Sequence, residues 1–426
     1  MQGISISGSR VSMSRRGLVY ASLILVFCVL SAVRYGLLMY AGQIIFLFCV
    51  LLNYDMLKIR TTHFWYLAPF VLYTLFAALS YVWCSNTNLY FSAMRSIIQI
   101  TVISLSVFMV MSSSDDPTTL FEKAVYFSGW AIIVYAVLKT SPSEWGKILK
   151  ETVNLSSDQN RFGYSIGMHP NSAGFSISMF LIFDVYYYAR TKKKHVILQI
   201  LSLAVLLALT KSRTPMLILA GGLLLFVVLY KRMSIKHVVT ILCAAAGVVV
   251  LIYVSLKVDF LFKIYGARLK SLLNIFSGEG TDASVTGRLR LQEMAIQAFK
   301  KDPVKGVGIG NFAFFNDVGR GTKGYYAHNN YCELLADIGF VGTVLYYLPF
   351  VSTLVALLYK LKNDSENRMI LSLLVSVIAM ILVGDFGEMS YLSDSIHCML
   401  AVCASYAFGV YFKKTPEGSP IGTKER

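Results

Sequence analysis

The sequence predicts an all-α fold: a polytopic membrane protein whose single domain, residues 1–426, is a bundle of about twelve transmembrane helices. Composition is the first reason, because 56% of the residues are apolar, 15% are charged and the mean hydropathy is +0.61. A soluble chain of this length could not bury so much apolar surface. The second reason is that apolar runs close to the roughly 17–25 residues that cross a bilayer recur along the chain. These runs lie near residues 18–33, 35–52, 64–84, 96–112, 123–139, 173–189, 195–210, 215–230, 237–256, 331–359, 368–384 and 396–412.

The basic residues predict a topology with both termini in the cytoplasm. The first apolar run follows Arg15 and Arg16, and no small-x-small cleavage site separates it from the second run, so we interpret it as a retained signal-anchor helix. Lys and Arg then recur in alternate loops, which is typical of loops retained in the cytoplasm. These basic loops lie at 58–60, 190–194, 231–236 and 360–368. The outer face carries two long loops, 140–172 and 257–329.

The second long loop, 257–329, contains many Lys and Arg residues against few acids. Long loops are exempt from the charge rule, so this excess does not report topology. A cationic surface of this kind attracts phosphates or anionic lipid headgroups. Nucleic acid is a poor alternative partner, because the basic surface faces away from the cytoplasm.

Arg213 lies in Leu-Thr-Lys-Ser-Arg-Thr-Pro, a short connection between two apolar runs. Short outer loops usually avoid arginine, because its translocation is costly. One interpretation is a snorkelling anchor at a helix end. The other is a guanidinium that binds an anion at the bilayer surface, with Ser212 and Thr214 as auxiliary donors, since a planar fork of donors suits phosphate well. Lys211 is a further candidate for substrate binding.

Arg288 and Arg290 begin a segment whose apolar residues recur at helical spacing, so 287–300 is expected to be an amphipathic helix on the outer face. Thr286 is its expected N-cap, and Asp302-Pro303 should end it. At about 100° per residue, Arg288 falls nearer the centre of the apolar stripe than Arg290 does. Arg288 is therefore either an anion ligand that points toward the bundle or an ordinary solvated arginine.

His328 ends the second loop and is followed by Asn329, which can cap the next helix and so fix the backbone beside the imidazole. A lone loop histidine is usually not catalytic. Its setting after a cationic loop favours a role, because a neutral imidazole is a suitable general base for a hydroxyl and nearby arginines can stabilise a departing anion.

The first long loop ends in a turn-rich segment that holds Arg161 and His169, which we predict as substrate contacts of second rank, while Asn171 is expected to cap the sixth helix. The glycine run at 305–310 lacks the lysine and the strand–helix context of a phosphate-binding loop, and we interpret it as a tight turn. No His, Cys or Asp cluster has metal-ligand spacing, so no metal or other cofactor is expected.

With these motifs in order, the chain resembles the O-antigen ligase and polysaccharide polymerase superfamily of bacterial envelope glycosyltransferases. The resemblance spans about 170–342 and is most specific in the block that follows Ala327. Its four pieces are Gly-Met-His-Pro-Asn171, Leu-Thr-Lys-Ser-Arg213, Thr-Gly-Arg288 with the following Lys-Asp-Pro-Val-Lys-Gly-Val-Gly, and Ala-His328-Asn-Asn-Tyr-Cys-Glu-Leu-Leu-Ala-Asp-Ile-Gly-Phe-Val-Gly.

The resemblance implies a transferase of the bacterial inner membrane that acts on its outer leaflet without a metal. The donor would be a glycan on undecaprenyl diphosphate, bound through Arg213 and Arg288, and His328 would activate the acceptor hydroxyl. The acceptor would be a lipid A core sugar for a ligase, or another lipid-linked repeat for a polymerase of capsule or exopolysaccharide. The alternative from another class is a flippase for lipid-linked sugars, in which Asp184 would be the clearest acid within a span.

Overall fold

The computed structural model describes residues 14–33, 36–154, 160–231, 283–317 and 325–409, together with residues 250, 253–254 and 257–258. All regular elements in these ranges are helical, so the all-α class is confirmed. In chain order the helices are α1 (Arg15–Ala32), α2 (Leu37–Leu52), α3 (Phe64–Leu79), α4 (Thr87–Ser113), α5 (Pro117–Lys139), α6 (Pro142–Asn154), α7 (Pro170–Thr191), α8 (His195–Leu209), α9 (Arg213–Tyr230), α10 (Ala283–Lys301), α11 (Phe312–Asp317), α12 (Asn330–Asn363), α13 (Arg368–Gly384) and α14 (Asp394–Ala404), which a π-helical turn, Ser405–Gly409, extends.

Six helices in the described ranges are long and apolar enough to cross a membrane: α1, the segment Thr61–Val82 that contains α3, α4, α5, α9 and α12. Three shorter apolar helices, α2, α8 and α13, accompany them. Most of the segment expected at 237–256 lies outside the described residues. The protein is thus a helical membrane protein, while the number of about twelve spans stays a prediction.

The stretch 140–172, predicted as the first long outer loop, has a helix of its own. It contains α6, which starts with a capping box: the Ser141 N–H donates to Glu144 at 2.8 Å and the Glu144 N–H donates to Ser141 at 3.3 Å. The next helix, α7, begins at Pro170, so the expected start at 173 was wrong. Its N-cap is His169, whose Nδ1 accepts from the Asn171 N–H at 3.3 Å, and the expectation that Asn171 caps this helix was also wrong.

Helix α10 lies where the apolar spacing indicates a helix, but it starts at Ala283, so Thr286 is a helical residue and not the predicted N-cap. It ends at Lys301, directly before Asp302-Pro303, as expected. Its buried face, Ala295 and Ala298, packs against residues of the α11–α12 region that include Ala336. This packing attaches α10 to the start of α12.

Helix α12 is broken at Gly339, whose φ of 63° is left-handed. The chain at 303–308 packs into this break: the Val307 N–H donates to the Ala336 carbonyl at 2.9 Å and the Phe340 N–H donates to the Pro303 carbonyl at 2.8 Å. A Cβ at Gly306 would lie 2.6 Å from the Ala336 oxygen, so the close approach requires glycine there. The glycine run is thus structural, and it packs against the break in α12.

Hydrogen bonds between helix termini show which termini lie together at each end of the bundle. At one end, which we call the site end, the beginnings of α7, α9 and α12 meet the ends of α8 and α13. There the Asn330 N–H donates to the Asp385 carbonyl at 2.7 Å, and the Phe162 N–H donates to the Leu209 carbonyl at 3.0 Å. At the opposite end, the Arg368 side chain donates to the Tyr230 carbonyl at 3.1 Å.

Candidate functional site

His328 lies at the site end in a short segment that leads into α12, and its backbone is held on both sides. The Asn329 side chain accepts from the Cys332 N–H at 3.1 Å and so caps α12, as its position predicts. On the other side, the buried Glu333 carboxylate accepts from the Ala327 N–H at 2.6 Å. Between them, His328 has a φ of 53°, a left-handed conformation that non-glycine residues rarely adopt. Such backbone strain persists only where neighbours enforce it, and it is concentrated at functional sites.

The His328 imidazole is half-buried, and the Tyr326 ring packs on it with a centroid distance of 4.0 Å. Its Nδ1 is buried and has no hydrogen-bond partner among the described residues. Burial, then the positive charge of Arg288 and the nearby His169, lower the pKa of His328 to about 4. The unliganded imidazole is therefore neutral at pH 7.

Arg288 lies in the first turns of α10 and is half-buried, whereas Arg290 is exposed. Arg288 and Ala295 are seven residues apart and therefore share a helix face, and Ala295 is fully buried against the α11–α12 region. Docking of α10 thus turns Arg288 toward the start of α12 and His328. The sequence ranking of Arg288 over Arg290 agrees with this difference in exposure.

Arg161 belongs to the turn that follows α6. Its Nε donates to the Thr210 carbonyl at 2.8 Å, and the adjacent Phe162 stacks on Trp145 of α6 with a centroid distance of 5.9 Å. Burial and the nearby charge of Arg288 lower the pKa of Arg161, while Tyr164 acts in the opposite direction. The hydrogen bond and the ring contact hold Arg161 in a position where the charge of Arg288 acts on it.

Lys211 and Ser212 connect α8 to α9. Lys211 has a left-handed φ of 52° and is only 9% exposed. Burial and the positive charge of Arg161 lower the pKa of Lys211, while the carboxylate of Glu151 raises it. The buried Ser212 hydroxyl donates to the Asn171 side chain at 2.5 Å, which ties the start of α9 to the start of α7.

Arg213 is the first residue of α9 and follows Ser212 at the site end. It is half-buried, and the next residue, Thr214, lies beside the turn at Gly387. Its predicted role as a diphosphate ligand stays a prediction. The same holds for Arg290, which is exposed and interacts with none of the basic groups above in the contacts described here.

The structure thus brings together side chains from four separate segments, which we call the basic cluster. Its members are Arg161, His169, Lys211, Arg288 and His328. Burying cations side by side is unfavourable unless an anion joins them, so the cluster is suited to a multiply charged anion such as a diphosphate. Among the described residues, no group of three His, Cys, Asp or Glu side chains could hold a metal ion.

Two acids of α12 were missed by sequence reasoning. Glu333 holds the backbone before His328, and Asp337 accepts from the Gly310 and Phe312 N–H groups, at 2.8 Å each. Both are buried. Their signal was available, because two acids four residues apart in an apolar helix share one face and must find donors there.

Residues 197–347 match the family model described as O-antigen ligase. Over this stretch the chain is similar to the O-antigen ligase family, which supports the resemblance to the ligase/polymerase superfamily. The O-antigen ligase match covers Lys211, Arg213, Arg288 and His328, while Arg161 and His169 lie before it. No curated protein sequence matches the chain. The match supports a glycosyltransferase-type enzyme that acts in a membrane on a lipid-linked glycan and an acceptor.

Proposed function

We propose that this protein transfers a glycan from undecaprenyl diphosphate to a sugar hydroxyl on the outer face of the bacterial inner membrane. The observation that carries the proposal is the meeting of His328 and Arg288 with Arg161, His169 and Lys211 at one end of a membrane-helix bundle. A neutral imidazole beside guanidinium groups supplies a base and an anion site in one place. Both termini would then be cytoplasmic.

The basic cluster binds the diphosphate of the donor. Arg161 and Arg288 approach the site from different segments, and each offers a planar fork of donors that suits phosphate oxygens. Lys211 adds a positive charge that is only 9% exposed, with Ser212 next to it. Arg213 contributes from the first turn of α9, and Arg290 from the exposed side of α10. The arginines carry the charge stabilisation that the leaving diphosphate needs.

His328 acts as general base in a direct displacement. The acceptor hydroxyl oxygen attacks the anomeric carbon and gives up its proton to the imidazole. The bond between that carbon and the diphosphate oxygen breaks, and undecaprenyl diphosphate leaves with the electron pair. Bound diphosphate offsets the charge of Arg288, so it raises the pKa of His328 from about 4 and strengthens the base only when donor is present.

A ligase and a polymerase differ in their acceptor, and one experiment separates them. The surface and lipid-linked glycans of a strain that carries His328→Ala are profiled, with protein level confirmed. Long polymer trapped on undecaprenyl diphosphate identifies a ligase, and single repeats without long chains identify a polymerase. An unchanged profile removes His328 from the mechanism and favours the flippase alternative.

A further inference from the structure

A cavity of about 220 Å³ lies at the site end, between the end of α1, the first turns of α2, α4 and α7, and the segment that leads into α14. Its wall contains several serine hydroxyls and four larger polar side chains. These are Arg95, Gln99, Glu388 and Asp394. None of them has a part in the transfer chemistry described above.

The cavity adjoins the reacting centre. Met168 and Ser172 line it, and they flank His169, whose charge acts on the His328 imidazole. The first turn of α7 therefore separates the cavity from the basic cluster.

The charges of the cavity differ from those of the basic cluster. Two carboxylates, Glu388 and Asp394, face one guanidinium, that of Arg95, so the wall does not favour a second phosphate. Amide, hydroxyl and carboxylate groups give both donors and acceptors, and side chains such as Tyr40 give an apolar wall. A sugar ring matches this mixture, because its hydroxyls both donate and accept while its C–H faces are apolar.

The carboxylates are held in place by neighbouring helices. Gln43 of α2 and Gln99 of α4 donate to Asp394 Oδ2 at 3.2 and 3.0 Å, and the Ser172 hydroxyl donates to Glu388 at 3.1 Å. Both amides bind the same oxygen of Asp394, so neither of them binds its Oδ1. Groups fixed in this way bind with little further loss of conformational entropy.

We propose that this cavity binds one sugar ring of a glycan substrate and thereby selects which glycan is transferred. The inference rests on the proposed function, since it names a subsite for the same reaction. The volume of about 220 Å³ is below the roughly 300–1,000 Å³ of pockets that enclose drug-sized ligands. The cavity therefore takes one end of a glycan, while the remainder stays outside the bundle.

The test uses the intact protein in detergent. The lipid-linked glycan donor and the acceptor are extracted from cells that lack this protein. Asp394→Asn should raise the KM for one of the two glycans about tenfold, the loss expected for one hydrogen bond to a charged group, with a smaller change in kcat. A rise for the acceptor alone assigns the ring to the acceptor, and a rise for the donor alone assigns it to the donor. Normal KM values for both glycans would overturn the proposal.

A matched pair of serines on α4 tests the cavity without removing a buried charge. Ser96 and Ser106 are both half-buried, and each hydroxyl donates to the carbonyl four residues earlier, at 3.3 and 2.8 Å. Only Ser96 lines the cavity. Ser96→Phe should therefore raise the same KM as Asp394→Asn does, and Ser106→Phe should leave it at the wild-type value. Equal effects of the two serine variants would contradict the assignment.

His328→Ala separates this inference from the proposed function. If His328→Ala abolishes transfer while Asp394→Asn has normal KM values, the cavity is not a sugar subsite and the proposed function stands. If His328→Ala transfers glycan at the wild-type rate, the proposed function fails and the subsite fails with it.

Discussion

The two ends of the helix bundle treat positive charge in opposite ways. At the end away from the site, Arg190 of α7 pairs with the buried Glu122 of α5, which also accepts from the Tyr186 hydroxyl at 3.0 Å. At the site end, the charge of Arg288 lowers the pKa of Arg161 and of His328. The charge of Arg161 in turn lowers the pKa of Lys211. Loss of one partner of the Arg190–Glu122 pair would leave an uncompensated charge, whereas basic groups held close together are suited to a bound anion.

The acids at the site end show the same division. Glu333 and Asp337 lie close to the basic cluster in sequence, yet their carboxylates accept backbone N–H groups of residues 327, 310 and 312. They therefore hold the backbone of the segments before His328 and at 310–312. One carboxylate, that of Glu151, acts on Lys211.

Among variants that leave His328 in place, removal of an arginine of the cluster should have the largest effect. Arg288→Ala should lower kcat/KM for transfer by about 10–100-fold, because a hydrogen bond to a charged group contributes about 1.5–3 kcal/mol. Donor titration of purified protein should show the loss mainly as weaker donor engagement. Arg290→Ala on the exposed side of the same helix is the control and should have a smaller effect. Equal losses would mean that α10 acts through its net charge alone.

Glu333→Ala tests whether the acids build the site. This variant removes the 2.6 Å bond from the Ala327 N–H and should reduce kcat about tenfold, since an unpartnered buried N–H costs about 1–3 kcal/mol and the strained His328 backbone relaxes. Glu333→Gln keeps an acceptor oxygen and should recover most of the activity. Failure of the glutamine variant to recover would assign Glu333 a role through its charge instead.

Arg190→Ala should affect stability and leave chemistry intact. Loss of its partner leaves Glu122 buried, which should destabilise the protein by about 1–3 kcal/mol, less than for a fully buried pair because Arg190 is 41% exposed. Thermal unfolding in detergent measures the first effect, and the transfer rate per folded molecule measures the second. If Arg190→Ala lowered the transfer rate per folded molecule as much as Arg288→Ala does, the two ends of the bundle would not differ in function.

The smallest expected effect is on pH dependence. A cationic neighbour lowers the pKa of a histidine and a bound anion raises it, so His328 titrates at about 4 without donor and at higher pH with it. Activity should rise with pH through each value, because the protonated imidazole cannot act as base. The acidic limb of kcat should therefore lie above that of kcat/KM by about one pH unit. Coincident limbs would show that the diphosphate does not bind beside His328.

Several features of the fold were predictable from the sequence because they depend on local patterns. Apolar runs marked most helices, Asn329 was recognised as a cap from its position before an apolar run, and the 3.6-residue period ranked Arg288 above Arg290. The capping box at the start of α6 was also local, and Ser141 with Glu144 gave its signal.

Other features depend on contacts between distant segments, which no local pattern reports. The nearness of Arg161 to Arg288 follows from the docking of two loops onto the bundle. The break in α12 at Gly339 follows from the packing of the chain near Val307 against it. The cavity near Asp394 joins helices from both halves of the chain, which is why its residues did not stand out in sequence.

The most direct test of the account measures donor binding and transfer in the same preparation of His328→Ala protein. Transfer should fall by about 10²–10⁴-fold, as expected for loss of a general base, while undecaprenyl diphosphate-linked glycan still binds through the arginines. His195→Ala, which alters an exposed histidine at the start of α8, is the control and should behave as wild type. Wild-type transfer by His328→Ala would contradict the account.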